Sequence, residues 1–139
     1  MPHTKKHVNT LTAPLLSNGH VRLELSSLDH TSGLQAATAD GELWKLHYTY
    51  APTVEGVTAE IERRLAQFAQ GEMIPFTVIQ TRNGIDTIVG MTTFLNFECS
   101  TAYKRVEIGA TWYAQSAQGT GINTAAKYLM LKHAFEEWQ

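Results

Sequence analysis

The chain has 139 residues, 43% hydrophobic and 17% charged, with a formal net charge of −2. That much apolar material supports one folded domain and excludes a disordered chain. The slightly acidic balance gives no basic face of the kind nucleic-acid binders carry, so no such partner is expected.

Residues 1–20 read as a tail broken by Pro2, Pro14 and Gly19, with an extended piece at Leu15–Leu16. Val21 to Leu25 alternates apolar and polar residues and predicts a strand with one buried face. Ser27 or Asp29 then caps a helix to about Ala39, which Asp40-Gly41 ends. An irregular aromatic stretch follows, with Trp44, His47, Tyr48 and Tyr50. Thr53 is the expected N-cap of a helix whose apolar stripe is Val54, Val57, Ile61, Leu65 and Phe68, stopped by Gly71. Its charges, Glu60, Glu62, Arg63 and Arg64, fall mostly off that stripe.

Three strands come next. Phe76–Gln80 and Ile85–Phe97 flank Asn83-Gly84, the strongest short hairpin signal, and Gly90 marks a bulge or a close backbone approach. After a turn at Ser100–Lys104, strict alternation puts Val106, Ile108, Ala110 and Trp112 on one face and Glu107, Gly109, Thr111 and Tyr113 on the other. Asn123 to Trp138 reads as a helix apolar round much of its circumference, hence buried across the sheet. This order predicts a mostly antiparallel sheet with packed helices, an α+β architecture.

The single cysteine, Cys99, cannot form an internal disulfide and has no Cys-His signature, so a reducing, cytoplasmic setting is expected. No apolar run approaches the ~20 residues that span a bilayer, and the start of the chain lacks an apolar secretion core, so no membrane partner is expected. The six histidines show no metal-ligand spacing, and no metal is expected. His47 is a weak candidate acid or base.

The most informative stretch is Gln118-Gly119-Thr120-Gly121-Ile122-Asn123-Thr124, between the last strand and the last helix. Two glycines allow close backbone approach, and the unpaired amides of a helix start attract phosphate. The pattern lacks the Lys-Ser/Thr of a P-loop and the third glycine of a dinucleotide fingerprint. Taken alone, it also fits a plain strand-to-helix turn.

That stretch, preceded by Arg105-Val106-Glu107-Ile108-Gly109 and Thr111-Trp112, resembles the GNAT (GCN5-related) N-acetyltransferases, above all the ribosomal-protein-alanine acetyltransferase-like branch. Val21-Arg22-Leu23, Glu42-Leu43-Trp44 and Ile88-Val89-Gly90 fit that branch too. The resemblance covers about residues 20 to 139 and leaves 1–20 as a tail before a partial domain, 21–139. It implies a mixed, mostly antiparallel sheet with helices on both faces, and acetyl-CoA as cosubstrate. By resemblance, Gln118, Gly119, Thr120, Gly121, Asn123 and Thr124 hold the pyrophosphate. Asn123 departs from the family's Gly or Ala but can still cap a helix. The resemblance places the pantetheine arm along Trp112, Tyr113 and Ala114, and the acceptor near Trp44 and Tyr48.

Direct transfer to an amine needs a proton acceptor. Glu107 is the candidate base, with Glu42 and Glu98 as weaker rivals; a surface glutamate in a cross-strand pair is the plainer reading. The expected function is acetyl transfer to a primary amine, a protein N-terminus or a small molecule. The alternative is a non-catalytic GNAT-fold module that binds an acyl-CoA or a protein. The resemblance further implies a continuation by strand, helix and two strands, which would supply the general acid. A chain without them is expected to dimerise and to turn over poorly by itself.

Overall fold

The computed structural model describes residues 13–45, 51–99 and 104–137. One antiparallel sheet runs β1 (Leu16–Ser17), β2 (Val21–Leu25), β3 (Met73–Arg82), β4 (Ile85–Cys99), β5 (Lys104–Tyr113), in chain order. Helices α1 (Thr31–Ala39) and α2 (Val57–Ala69) fall between β2 and β3, and α3 (Ile122–Glu137) follows β5.

Local chemistry sets most boundaries. The Ser27 hydroxyl accepts from Asp29 N–H at 3.0 Å and caps a 3-10 turn, Leu28–His30, that leads into α1. Gly41, at φ +94°, follows the C-cap Asp40. Thr53 caps as expected, but what it caps is a turn: its Oγ1 accepts from Gly56 N–H at 3.0 Å, and α2 begins only at Val57. A threonine cap signals a helical turn without saying how many turns continue it. Asn83 and Gly84, at φ +54° and +75°, make the hairpin turn whose two left-handed residues match strand twist.

The sheet is covered on both faces. A Cβ on Gly33 of α1 would lie 2.4 Å from Ile88 Cδ1, so α1 packs on the face of Ile88 and its partner Ile79. Gln80, one residue on, points the other way and lies with its partner Val21 beside Ile122 and Ala125 of α3. β3 is therefore buried on both sides from Met73 to Ile79. Phe76 and Phe94 meet edge to face inside, with ring centroids 5.8 Å apart.

Two expectations are corrected. Helix α3 buries only the stripe Ile122, Ala126, Met130, while Tyr128, Leu131 and Phe135 are exposed. The phase of β5 also slips. Met91 faces Trp112 and Thr93 faces Gly109, so one residue of β4 opposes two of β5. Ala110 sits at φ +49° in this bulge. The extra residue turns Trp112 onto the face of Glu107 and Gly109 and Tyr113 onto that of Ile108, the reverse of simple alternation.

Candidate active site

The end of β5 and the start of α3 form the centre of the site. Gly90 opposes Tyr113, and a Cβ there would come within 2.1 Å of Trp112 O, so only glycine lets the strands close. Past the strand, Ala114 N–H donates to Val89 O at 2.8 Å, which leaves it unavailable to a ligand. By the alternation of an antiparallel ladder, the N–H of Tyr113 then points to the free edge. Of the three positions expected beside a pantetheine arm, the edge of Tyr113 is the one so oriented. Trp112 Nε1 and Tyr113 Oη are buried without hydrogen-bond partners among the described residues, and burial pushes the Tyr113 phenol above its usual range.

The loop after β5 is tied down internally. Gln118 turns two of its donors to the fold: its side-chain amide reaches Tyr113 O at 2.9 Å, and its backbone N–H reaches Gln115 O at 3.1 Å. Thr120 Oγ1 donates to Ala117 O at 2.5 Å, so this side chain does not cap α3. Asp40 Oδ2 accepts from Ser116 Oγ at 2.5 Å and clamps the end of α1 to the loop. That tether spans 76 residues and has no local sequence signal.

Gly119 and Gly121 stand at φ +74° and +89°, where a side chain is strained, and the space where a Cβ would project is open at both. The first α3 bond within reach is Ala125 N–H to Gly121 O at 3.0 Å. The N–H groups of Ile122, Asn123 and Thr124 therefore have no acceptor within the helix. Asn123 and Thr124 are exposed. This arrangement of open backbone, free amides and helix dipole can hold an anion.

Glu107 lies exposed on β5, with Oε1 accepting from Asn96 Nδ2 at 2.6 Å and Oε2 lying over Gly109. Thr93 Oγ1 binds Gly109 O at 2.6 Å, and the Thr92 and Thr111 hydroxyls meet at 2.8 Å. Trp44 is half-buried in a 3-10 turn, Leu43–Lys45. Glu42, the weaker rival, is engaged by Lys45 at 3.2 Å. His47, Tyr48 and Tyr50 lie outside the described residues, as does the side chain of Glu98. Among the described residues no cluster of metal ligands occurs.

The family model described as an acetyltransferase (GNAT) domain matches residues 20–139, and the chain belongs to this family. RimL, a ribosomal L7/L12 alpha-N-protein acetyltransferase solved with coenzyme A, superposes with a TM-score of 0.64 at 14% identity, over 87% of this chain and 67% of its own. A GCN5-related N-acetyltransferase from Brucella melitensis gives 0.67 at 21%, over 91% of this chain and 57% of its own. A third structure, provisionally described as an acetyltransferase, gives 0.70 at 26%, over 92% of this chain and 62% of its own. The chain thus spans between 57% and 67% of the length of these relatives. No curated protein matches it.

Proposed function

We propose that this domain binds acetyl-CoA and serves the transfer of its acetyl group to a primary amine. The free amides at the Gly121–Thr124 helix start, directly after the bulged strand, carry this reading. Gly119, Thr120, Gly121, Asn123 and Thr124 receive the pyrophosphate through backbone N–H groups, and Gln118 shapes the loop. The edge of β5 at Trp112–Ala114, chiefly Tyr113 N–H, pairs with the pantetheine arm. The acceptor, a protein N-terminus or a small amine, enters beside Trp44 and Tyr48. RimL, which acts on a ribosomal protein, favours the first.

In the reaction the amine nitrogen bonds to the thioester carbonyl carbon, the C–S bond breaks, and the sulfur leaves as a thiolate. Glu107 takes the amine proton on Oε2, the oxygen left free by Asn96. Calorimetry with acetyl-CoA tests binding, and thiol release across a panel of amines tests transfer. Binding with release is expected. No binding at millimolar ligand overturns the proposal, and binding without release on any amine favours a non-catalytic acyl-CoA module.

The chain also pairs with a second copy. Tyr128, Leu131 and Phe135 are 63%, 46% and 64% exposed and form one apolar stripe on α3. The outer edge of β5 is unpaired among the described residues. Sedimentation at micromolar concentration should find a dimer; a stable monomer contradicts this. We place the protein in the cytoplasm on its single cysteine; no helix among the described residues is long and apolar enough to cross a membrane.

A further inference from the structure

We propose that Asn96 is a positioning residue for Glu107, and that the bulge in β4 exists to bring the two together. The inference rests on Glu107 as the base. Leu95 faces Glu107 across the ladder. In a regular strand Asn96 would therefore point to the opposite face from Glu107. The register instead breaks between Leu95 and Glu98, and Asn96 takes φ +55°. Asparagine is among the few residues with a side chain that adopt this conformation readily. The result is a re-aimed side chain, a known use of bulges. Asn96 Nδ2 donates to Glu107 Oε1 at 2.6 Å. A carboxylate only accepts, so the amide nitrogen must be the group that faces it.

Both side chains are exposed. Water can replace such a bond, so its contribution to folding is small. Its effect is orientation. With Oε1 held by Asn96, Oε2 lies over Gly109, 3.7 Å from where a Cβ would stand, with Leu95 Cδ2 3.4 Å from the same point. A proton acceptor fixed along the strand is pre-organised for an amine arriving there, and a misplacement of about 1 Å can cost about 100-fold in rate.

Three variants of the whole polypeptide test this: Asn96→Gly, Asn96→Asp and Glu107→Gln. Glycine and aspartate both accept φ +55°, so the bulge survives, while the donor is lost or becomes a second carboxylate. Expected are a fall in kcat of about 10-fold for Asn96→Gly and more for Asn96→Asp. KM for acetyl-CoA and the unfolding temperature should stay near wild type. A purely structural role would leave kcat unchanged in both. The Asn96 side-chain amide protons should also shift in the NMR spectrum of Glu107→Gln, a readout independent of turnover. If Glu107→Gln retains full activity, the base assignment falls and this inference with it. If Glu107→Gln is impaired while Asn96→Gly and Asn96→Asp keep wild-type kcat, the positioning role alone is overturned.

Discussion

Arg64 belongs to a helix whose charges read as a solvated face, yet it is fully buried. Its Nε donates to Glu60 Oε2 at 2.6 Å, while Nη1 and Nη2 have no partner among the described residues. Burial pulls the guanidinium below its ordinary range, opposed by Glu60. Burial would raise Glu60, but hydrogen bonds from Arg63 and Arg64 outweigh it and hold the carboxyl below its usual 4.5. A depressed carboxyl contributes stability that is complete above its unfolded value and is lost as pH falls through the folded one. The wild-type melting temperature should therefore drop more steeply below pH 4.5 than that of Glu60→Gln. At neutral pH, Glu60→Gln strands a buried cation and should cost about 3–5 kcal/mol in chemical denaturation. Adding Arg64→Met should restore most of that loss, because it removes the stranded charge and keeps the volume.

At the scale of elements, strand β5 and the turn after it decide what the site can do. Gly90 and Trp112 O lock β4 to β5, so Gly90→Ala should destabilise the fold by about 3 kcal/mol, read from urea unfolding. Gly121 differs: space is open there, but φ is +89°. Gly121→Ala should cost about 1–2 kcal/mol of backbone strain, seen as a roughly 5- to 30-fold weaker Kd for acetyl-CoA. An unchanged Kd would separate the loop from the ligand. The hairpin, the end of α1 and the order of strands were legible because Asn83-Gly84, Asp40-Gly41 and the alternation of β2 are local signals. Gly90 also marked its close approach and the register shift beside it, between Val78 and Ile79, but the two bulges of the β4–β5 ladder were not legible. Ala110 at φ +49° contradicts its own preference, and only pairing with β4 imposes it. Everything placed by counting past Ala110 was consequently one face out. Glu107, before the bulge, was placed on its face correctly, while its partner Asn96 gave no sign in the sequence.

Across the whole molecule, the three helices divide the labour. α1, in contact with α2, packs on the face of Ile79 and Ile88 while Glu107 stays exposed, and α3 covers the other face and offers its N-terminal amides past the last strand. The Asp40–Ser116 clamp joins the two sides at the loop. The glycines and the helix start of that loop were visible in the sequence; the clamp and the internal use of Gln118 were not, because their partners lie on other elements. The central claim is that this loop receives the pyrophosphate of acetyl-CoA. The most direct test is an acetyl-CoA titration followed by the backbone amide resonances. The largest shifts should fall on Gly119 to Thr124 and on Tyr113, with dephospho-CoA and CoA acting on the same amides. Saturating binding that leaves those amides unmoved, or no shift anywhere at millimolar ligand, would contradict the account.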